Sequence, residues 1–447
     1  MNLEMSTNNR QITDLKKLQD EFTLNFIPRS LILFTHFALL AKQHSENHLN
    51  TKNKSKMKSL GTGLTVILLL SFGLRAQSQE ESQETKTRPF QMTFVTPLGT
   101  NGLDAWNITN KFSINLYAGY NGGLDGIELS GFGGMLKNDM EGTQIAGFGN
   151  IVMHTGNGFQ AAGFFNFTKL RFEGLQIAGF ANIIASDAKA WQLSGFGNVT
   201  TQQLDGGQIA GFANYSKGNT IGQASGFANV NHGDLKGFQL AGFTNVNTES
   251  VEGAQIAGFA NYTRKLKGVQ IAPFNYVDSL EKGLPIGVFS IVKNGYRAFE
   301  ISANETLYGV ASFKTGTEKF YNIISVGASY KNEMILWGWG YGIGTFIQFK
   351  NNWGLAIELL SYQINEDEWF TEAMNLNNKL QITTSKKVSE NMDVFGGLSW
   401  NVNVSKTLDH NQNAFESSIT PYHVFNKTYG NDNNVKMYPG FTAGIRF

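Results

Sequence analysis

The chain has 447 residues, among them 50 Gly and only 7 Pro, and 13% of its residues are aromatic whereas 16% are charged. This Gly-rich, aromatic-rich and charge-poor composition is typical of β proteins. The formal net charge of +1 provides no basic surface for a nucleic-acid partner, and the absence of Cys excludes disulfides and thiolate sites.

The front of the chain predicts an export signal that starts at an internal methionine. Residues 57–76, which begin with Met57, have a basic start, an apolar run and a small final residue, the three parts of a secretory signal peptide. Residues 1–56 are then interpreted as an upstream artefact of start-codon choice or as disordered chain. The acidic and polar residues 77–88 are predicted to form a disordered leader after cleavage.

Residues 89–125 are predicted to form the first β-strands of the mature chain. Within them, residues 90–96 and 112–120 alternate between apolar and polar side chains, as strands with two different faces do. One interpretation assigns these two strands to the C-terminal barrel described below.

A phrase of nine residues, Gly-x-Gln-x-Ala-Gly-Phe-x-Asn, repeats through residues 126–292 and organises the chain. Its central glycine recurs every sixteen residues, and this interval is twice shortened to fifteen. A fixed period indicates a stack of equivalent structural units. The copies after Gly258 fade, because Pro273 replaces the glycine and Ser290 replaces the Asn. It stays open whether these copies belong to the stack or to the C-terminal region.

Each copy alternates polar and apolar residues with the period of a strand. The recurring Ile and Phe are predicted to lie on opposite faces, with the Phe filling a core. The recurring Gln and Asn are predicted to form hydrogen-bonded amide ladders. A less favoured interpretation is a stacked polar face that binds a glycan or another surface protein. The predicted ladder residues are Gln144, Gln176, Gln208, Gln255, Asn150, Asn182, Asn214 and Asn261.

Two architectures are open for the repeats, and we favour the first. In a parallel β-solenoid each repeat is one coil, so that like residues stack on like. In an antiparallel meander, continuous with the barrel, each repeat is one strand with its hairpin, and odd and even copies should diverge. The serines that interrupt the alanine column show no such alternation. A shortened interval would also swap the faces of the following strand, yet the motif continues unaltered after Gly226.

The alternation of apolar and polar residues in residues 293–447 predicts the antiparallel strands of an outer-membrane β-barrel. In residues 335–349 one face carries Ile, Trp and Tyr side chains and the other carries Gly. Residues 392–404 repeat this alternation, as do residues 353–363 more weakly, with Glu358 on the presumed inner side. Strands that are apolar towards lipid and polar towards the lumen are typical of membrane barrels.

The last predicted strand, residues 435–447, ends on the aromatic residue Phe447. It resembles the closing strand of bacterial outer-membrane β-barrels, whose terminal aromatic residue belongs to the signal read during barrel assembly. This resemblance implies outer-membrane lipid, the barrel-assembly machinery and the secretion machinery as partners. The long polar connections over residues 365–378 and 405–434 are predicted surface loops.

The whole pattern resembles bacterial surface-repeat proteins of the Gram-negative cell envelope, and the resemblance rests on the repeats of residues 126–292. It implies an outer-membrane or cell-surface location and no activity. We therefore expect a structural, adhesive or binding role, and the ligand, a glycan or a surface protein, stays open. The alternative is an outer-membrane pore or transporter with a polar lumen. An envelope enzyme is a third, less favoured hypothesis.

No motif of enzymatic chemistry stands out, so we expect no catalytic residues, no cofactor and no metal site. The acidic residues 366–368 are interpreted as a solvated loop rather than as a cation site. The histidines after the predicted signal peptide are scattered singly, without a second ligand at metal spacing. They are His154, His232, His410 and His423.

Overall fold

The structure, a computed structural model, describes the chain in five segments. The predicted signal peptide and residues 1–56 lie outside the described residues, as does the predicted leader up to residue 85. No helix in the described part is long and apolar enough to cross a membrane. The five segments are residues 86–331, 334–407, 416–419, 422–430 and 432–447.

Residues 86–292 form a parallel β-solenoid of about 12 coils, which confirms the favoured architecture and not the meander. A 3-10 helix over Gly102–Asn107 lies near its N-terminal end. The strands are β1 (Lys86–Val95), β2 (Leu98–Gly99), β3 (Ile108–Asn121), β4 (Gly123–Ser130), β5 (Gly133–Leu136), β6 (Met140–Ala146), β7 (Gly149–Val152), β8 (Gly156–Ala162), β9 (Phe165–Thr168), β10 (Phe172–Ala178), β11 (Ala181–Ile184), β12 (Ala188–Ser194), β13 (Gly197–Thr200), β14 (Gly207–Ala210), β15 (Ala213–Ser216), β16 (Thr220–Ser225), β17 (Ala228–Asn231), β18 (Leu235–Ala241), β19 (Thr244–Ala257), β20 (Ala260–Ile271), β21 (Phe274–Ile286) and β22 (Phe289–Val292).

Each coil in the middle of the solenoid contains one longer and one shorter strand, and each strand pairs in parallel with its equivalents in the coils before and after. β10 pairs with β8 and β12, and β11 pairs with β9 and β13. In this register Gln176 lies opposite Gln160 and Gln192. Like residues therefore stack on like residues along the solenoid axis.

The repeated central glycine is required by the close approach of successive coils. A Cβ atom on Gly179 would lie 2.0 Å from the carbonyl oxygen of Gly163, and one on Gly195 would lie 2.2 Å from that of Gly179. Both distances are far inside van der Waals contact. A second glycine column, represented by Gly174 with φ of 128°, has a backbone that side chains rarely adopt.

The solenoid interior is polar beside one turn and apolar beside the other. Gln176 and Asn182 flank the turn that contains Gly179, and both are fully buried. Phe172 and Ile184, which are also fully buried, fill the interior near the opposite turn. Apolar contacts and amide hydrogen bonds thus share one narrow core.

The Ile and Phe columns both lie on the outer surface, so the prediction that they occupy opposite faces, with Phe in the core, is wrong. Ile177 points outward and is 38% exposed. From Phe132 to Phe259 the Phe residues sit in the turn itself, where a side chain can only point away from the coil, while the amides already fill the interior; Phe274 and Phe289 begin β21 and β22. The outward rings belong to Phe132, Phe148, Phe164, Phe180, Phe196, Phe212, Phe227, Phe243, Phe259, Phe274 and Phe289.

Both ends of the repeat region extend the solenoid beyond the regular motif. β1 contains residues 90–95 and β3 contains residues 112–120, and the two strands pair in parallel with each other. Their assignment to the barrel is therefore wrong, and β1 already begins within the predicted leader, at Lys86. The faded copies after Gly258 also belong to the stack, because β21 pairs in parallel with β20 and β22.

The C-terminal region is an antiparallel sheet that closes on itself. Eight strands pair in succession, and the ring closes where Glu300 of the first lies opposite Arg446 of the last. A ninth strand pairs with the last strand only. A short 3-10 helix occupies Lys350–Asn352. The strands are β23 (Tyr296–Asn304), β24 (Gly309–Thr317), β25 (Phe320–Lys331), β26 (Met334–Gln348), β27 (Trp353–Glu366), β28 (Asn375–Ser389), β29 (Met392–Ser405), β30 (Phe425–Tyr429) and β31 (Asn433–Arg446).

The last coil of the solenoid contacts the closed sheet. Side chains of β24 and β25 form hydrogen bonds with backbone groups at the open edge of that coil. Asn322 of β25 accepts a hydrogen bond from the Ser290 backbone N–H at 3.0 Å and donates one to the Gly287 carbonyl at 2.7 Å. Thr315 of β24 donates to the Ser290 carbonyl at 3.1 Å. Asn322 thus satisfies backbone groups that a further coil would otherwise satisfy.

Candidate functional site

The predicted ladder residues hydrogen-bond along the axis of the solenoid. Gln160 Nε2 donates to Gln144 Oε1 at 2.9 Å, and Gln176 Nε2 donates to Gln160 Oε1 at 2.7 Å. Asn166 Nδ2 donates to Asn182 Oδ1 at 2.9 Å, in the opposite direction along the chain. Equivalent bonds involve Asn150, Gln208, Asn214, Gln255 and Asn261.

These amide columns are fully buried or nearly so. They line the interior of the coils and present no face to a ligand, which contradicts the less favoured interpretation of a stacked polar binding surface. Their contribution is structural, because each buried amide finds hydrogen-bond partners in the neighbouring coils.

A carboxyl group occupies one position of the Gln column. Glu128 lies opposite Gln144 in the register of β4 and β6, and it is fully buried. It accepts hydrogen bonds from Gln144 at 2.9 Å, from Asn121 at 2.7 Å and from Ser113 at 3.0 Å. Burial raises the pKa of the Glu128 carboxyl above its usual range, although these hydrogen bonds oppose the shift. Sequence reasoning missed this residue, although it interrupts the Gln column.

The interior of the closed sheet contains a network of buried charges. Lys314, which is 1% exposed, forms ion pairs with Glu300 at 2.7 Å and with Glu358. Arg446 Nε lies 2.5 Å from Glu300, and Gln381 donates to Glu358 at 2.6 Å. The prediction that Glu358 points inward is therefore confirmed.

A second group of buried charges lies closer to the end of the closed sheet at which β23 ends. Lys379 forms an ion pair with Glu305 at 2.9 Å, and Asn401 donates to the same carboxylate at 2.8 Å. Beyond it, the described residues 416–419 fold into the sheet: the Ser417 carbonyl accepts a hydrogen bond from Lys436 at 2.7 Å. The predicted loop over residues 405–434 is therefore partly an inward plug.

Bulky side chains fill the space between these charges. Tyr321 and Tyr438 are fully buried, and the Arg446 guanidinium lies over the rings of Phe346 and Phe395 at 5.0 and 5.3 Å. The interior of a ring of eight strands is narrow enough for inward side chains to fill it. The interior is accordingly a packed polar core.

The outer surface of the closed sheet has the opposite character. Leu398 is 75% exposed, and its neighbours along the outer face are Val394 and Trp400. A protein in water normally buries such residues and exposes its charges. Other outward residues are Phe299, Ile301, Phe313, Ile324, Val326, Ile335, Trp339, Ile343, Ile347, Ile357, Leu359, Leu380, Ile382 and Phe441.

The two ends of the closed sheet differ in their connections. At one end, the short-turn end, strands are joined through residues 318–319, 349–352 and 390–391. The other end, the long-loop end, carries the connections after β23, β25, β27 and β29, of which the first two are short and the last two are long: residues 367–374, and residues 406–432, which include β30. The chain enters β23 from the solenoid at the short-turn end, where Phe447 also lies and pairs with Phe299.

The described residues bring no three His, Asp or Glu side chains together in a way that could hold a metal ion. His154 lies 2.6 Å from Asp139, and His232 lies 3.2 Å from Thr248, both at the exposed turn of the solenoid. His410 lies outside the described residues, and His423 is exposed. Glu366 of the acidic segment is not a free loop residue, because it ends β27 and accepts a hydrogen bond from Asn375 at 2.7 Å.

Comparison of the chain with protein-family models, with curated proteins and with solved structures found no match.

Proposed function

We propose that this is an outer-membrane protein whose closed sheet spans the lipid bilayer and anchors the solenoid in a structural role. The observation that carries the proposal is the inverted polarity of the closed sheet, with ion pairs such as Lys314 with Glu358 inside and residues such as Leu398 outside. In water this arrangement would expose a continuous apolar surface. In lipid it is the expected one.

The dimensions of the strands support the same proposal. A tilted membrane strand needs about 9–11 residues, and β26, β27 and β29 contain 15, 14 and 14. Exposed aromatic residues occur towards both ends, as interfacial girdles require. Trp353 and Phe447 lie near the short-turn end, and Tyr330 and Trp369 lie near the long-loop end.

The connections suggest which side of the membrane carries the solenoid. Outer-membrane barrels turn tightly in the periplasm and extend long loops outward. The solenoid joins the closed sheet at the short-turn end, through Lys293 and Asn322. We therefore propose that the solenoid lies in the periplasm, which departs from the expectation of repeats displayed on the cell surface.

The packed interior favours an anchor over the alternative of a pore or transporter. Tyr321, Tyr438 and the ion pairs of Lys314 and Lys379 occupy the space through which a solute would pass. No arrangement of side chains in the described residues favours the hypothesis of an envelope enzyme.

The test is assembly of the protein expressed from Met57 in a Gram-negative host. We expect the protein to fractionate with the outer membrane. We also expect the boiled and unboiled protein to migrate differently, because folded barrels show heat-modifiable migration. Phe447→Ala should lower assembly if the terminal aromatic residue is part of the assembly signal. Phe441→Ala, at an outward Phe of β31, the strand that ends one residue before Phe447, is the matched control and should assemble normally.

Two further measurements test the details. Protease added to intact cells should spare the solenoid, and protease added after the outer membrane is opened should reach it. The purified protein should give no stable conductance steps in a planar bilayer. Recovery in the soluble periplasm would contradict the proposal, and reproducible conductance would favour the pore.

A further inference from the structure

The outside of the solenoid carries an apolar band along its whole length. We call it the aromatic stripe: the Phe column at the turn together with the outward columns on either side of it, which contain Ile177 and Ile183. Successive rings from Phe132 to Phe259 stack face to face, with the centroids of Phe164 and Phe180 4.7 Å apart and their planes inclined by 4°, and the ring of Phe274 is tilted by 51° from that of Phe259. At about 4.8 Å per rung, eleven rings extend over about 48 Å.

Basic side chains recur along one border of the stripe. Five exposed basic residues stand in the column directly beside the stripe, which also contains Asp278 and uncharged residues, and Arg264 and Lys293 form exposed ion pairs with Glu249 and Asp278. The five are Lys137, Lys169, Lys217, Arg264 and Lys293. The turn opposite the Phe column is polar as well. The solenoid is therefore amphipathic across its section, with one apolar edge and one hydrated edge.

Aromatic residues with a polar atom lie at the margins of the stripe. Tyr215, Tyr262 and Tyr276 stand in the outward column next to the basic residues, and the Lys293 ammonium lies 5.7 Å from the centre of the Tyr276 ring. Tyr rings and basic side chains beside an apolar surface are the residues that membrane interfaces favour. From its centre to this border, the stripe changes from apolar side chains to Tyr and then to basic residues. This order matches the layers of a lipid leaflet, from acyl chains to headgroups.

We infer that the aromatic stripe inserts into the phospholipid leaflet on the short-turn side of the membrane, with its basic border at the headgroups. This inference rests on the proposed function, since the closed sheet supplies the neighbouring lipid. The stripe runs up to that sheet: Phe289 and Ile291 belong to β22, whose Ser290 is hydrogen-bonded to Asn322. The solenoid then lies along the membrane as an interfacial element.

A second copy of the chain is the competing occupant of the stripe. Two stripes packed face to face with their basic borders aligned would bring like charges into proximity, where they repel. Anionic and zwitterionic headgroups instead offer phosphate oxygens to the same residues. The charge pattern therefore favours lipid.

The experiment uses the full chain, which contains no Cys, so that one introduced Cys carries one fluorescent label. Labels are placed on the stripe with Ile183→Cys and, in the next coil, Val199→Cys. Gln202→Cys on the opposite turn is the matched control, and Leu398→Cys reports on the closed sheet. Each labelled protein is folded into phosphatidylglycerol and phosphatidylcholine vesicles that contain a lipid with a nitroxide on its acyl chain.

We expect the nitroxide to quench both stripe labels to the same extent as the Leu398 label, and to leave the Gln202 label unchanged. Quenching at Leu398 without quenching at either stripe position would overturn this inference and leave the proposed function standing. Absence of quenching at Leu398 would overturn the proposed function itself. Stripe labels that quench one another as the protein-to-lipid ratio rises, without lipid quenching, would show that a second copy covers the stripe.

Discussion

At the scale of single residues, Glu128 departs from the repeat, because it puts a buried carboxyl group into the Gln column. Its raised pKa means that the folded state holds the carboxyl proton more tightly than the unfolded state does. Its contribution to stability is then fully present below the pKa of an unfolded Glu, about 4.3, and is lost as pH rises through the raised pKa of the folded state.

We therefore expect Glu128→Gln to remove this loss and to continue the Gln column of Gln144 and Gln160. At neutral pH the substitution should stabilise the solenoid by about 2 kcal/mol, measured by thermal unfolding followed by circular dichroism between pH 4 and 8. Glu141→Gln, an exposed carboxyl in the neighbouring coil, should leave the pH profile unchanged. Equal profiles for Glu128→Gln and the unsubstituted protein would contradict the assignment.

A second residue-scale prediction concerns Lys314 inside the closed sheet. Lys314→Met would leave Glu300 and Glu358 buried without their shared cation, and breaking such a pair typically costs about 3–5 kcal/mol. We expect the folded form to disappear at a lower temperature in the migration assay. Lys319→Met, in an exposed short turn, is the matched control. An unchanged transition for Lys314→Met would show that the two carboxyls do not need this partner.

At the scale of one repeat, the approach of successive coils decides which glycines are essential. Gly195→Ala would place a Cβ atom 2.2 Å from the carbonyl oxygen of Gly179, so that two coils must separate. We expect a loss of at least about 2 kcal/mol in unfolding free energy. Gly197→Ala is the control, because the equivalent positions in both neighbouring coils, Ala181 and Ala213, already carry a methyl group. Denaturant unfolding measures both, and equal losses would contradict this distinction.

At the scale of the whole molecule, the parallel register predicts that complete coils are removable. Deletion of Phe172–Asp187 joins Arg171 to Ala188, which already takes the place of Phe172 in the register. Gln160 then stacks on Gln192. Stability should fall by about one coil's share, while the closed sheet assembles as before, scored by heat-modifiable migration. Deletion of residues 172–179, half a coil, should abolish folding. Failure of the full-coil deletion would contradict a stack of equivalent units.

The closed sheet has polar side chains inside and apolar side chains outside, and the solenoid resembles it in part, with a polar half of its interior and one apolar outer edge. In the closed sheet the inner groups are ion pairs such as Lys379 with Glu305, and in the solenoid they are amide ladders. Hydrogen bonds and ion pairs within the protein hold these groups in both interiors, while some buried atoms, such as Asn150 Oδ1 and the two terminal nitrogens of Arg446, have no hydrogen-bond partner in the described residues. The outer surfaces then set the environment in which the molecule is stable, and this is why we propose lipid for both.

The sequence by itself determined the period, the composition of the columns and the alternation of the C-terminal strands. Strict recurrence of Gln, Asn and Gly at one interval is enough to predict like-on-like stacking, because only a parallel stack gives every copy the same neighbours. Alternation likewise placed Glu358 on the inner face before its partners were known. These are local patterns, and local patterns are visible along a chain.

Only the tertiary structure decided which columns face inward. Alternation separates two faces of a strand, but it does not say which face meets the opposite strand of the same coil, so Phe180 was wrongly predicted to fill a core. The tertiary structure also decided the partners of Glu128 and Lys314, which come from other strands. The docking of Asn322 onto the last coil depends on where two sheets end in space. Sequence spacing carries no such information, because these contacts join strands that only the complete fold brings together.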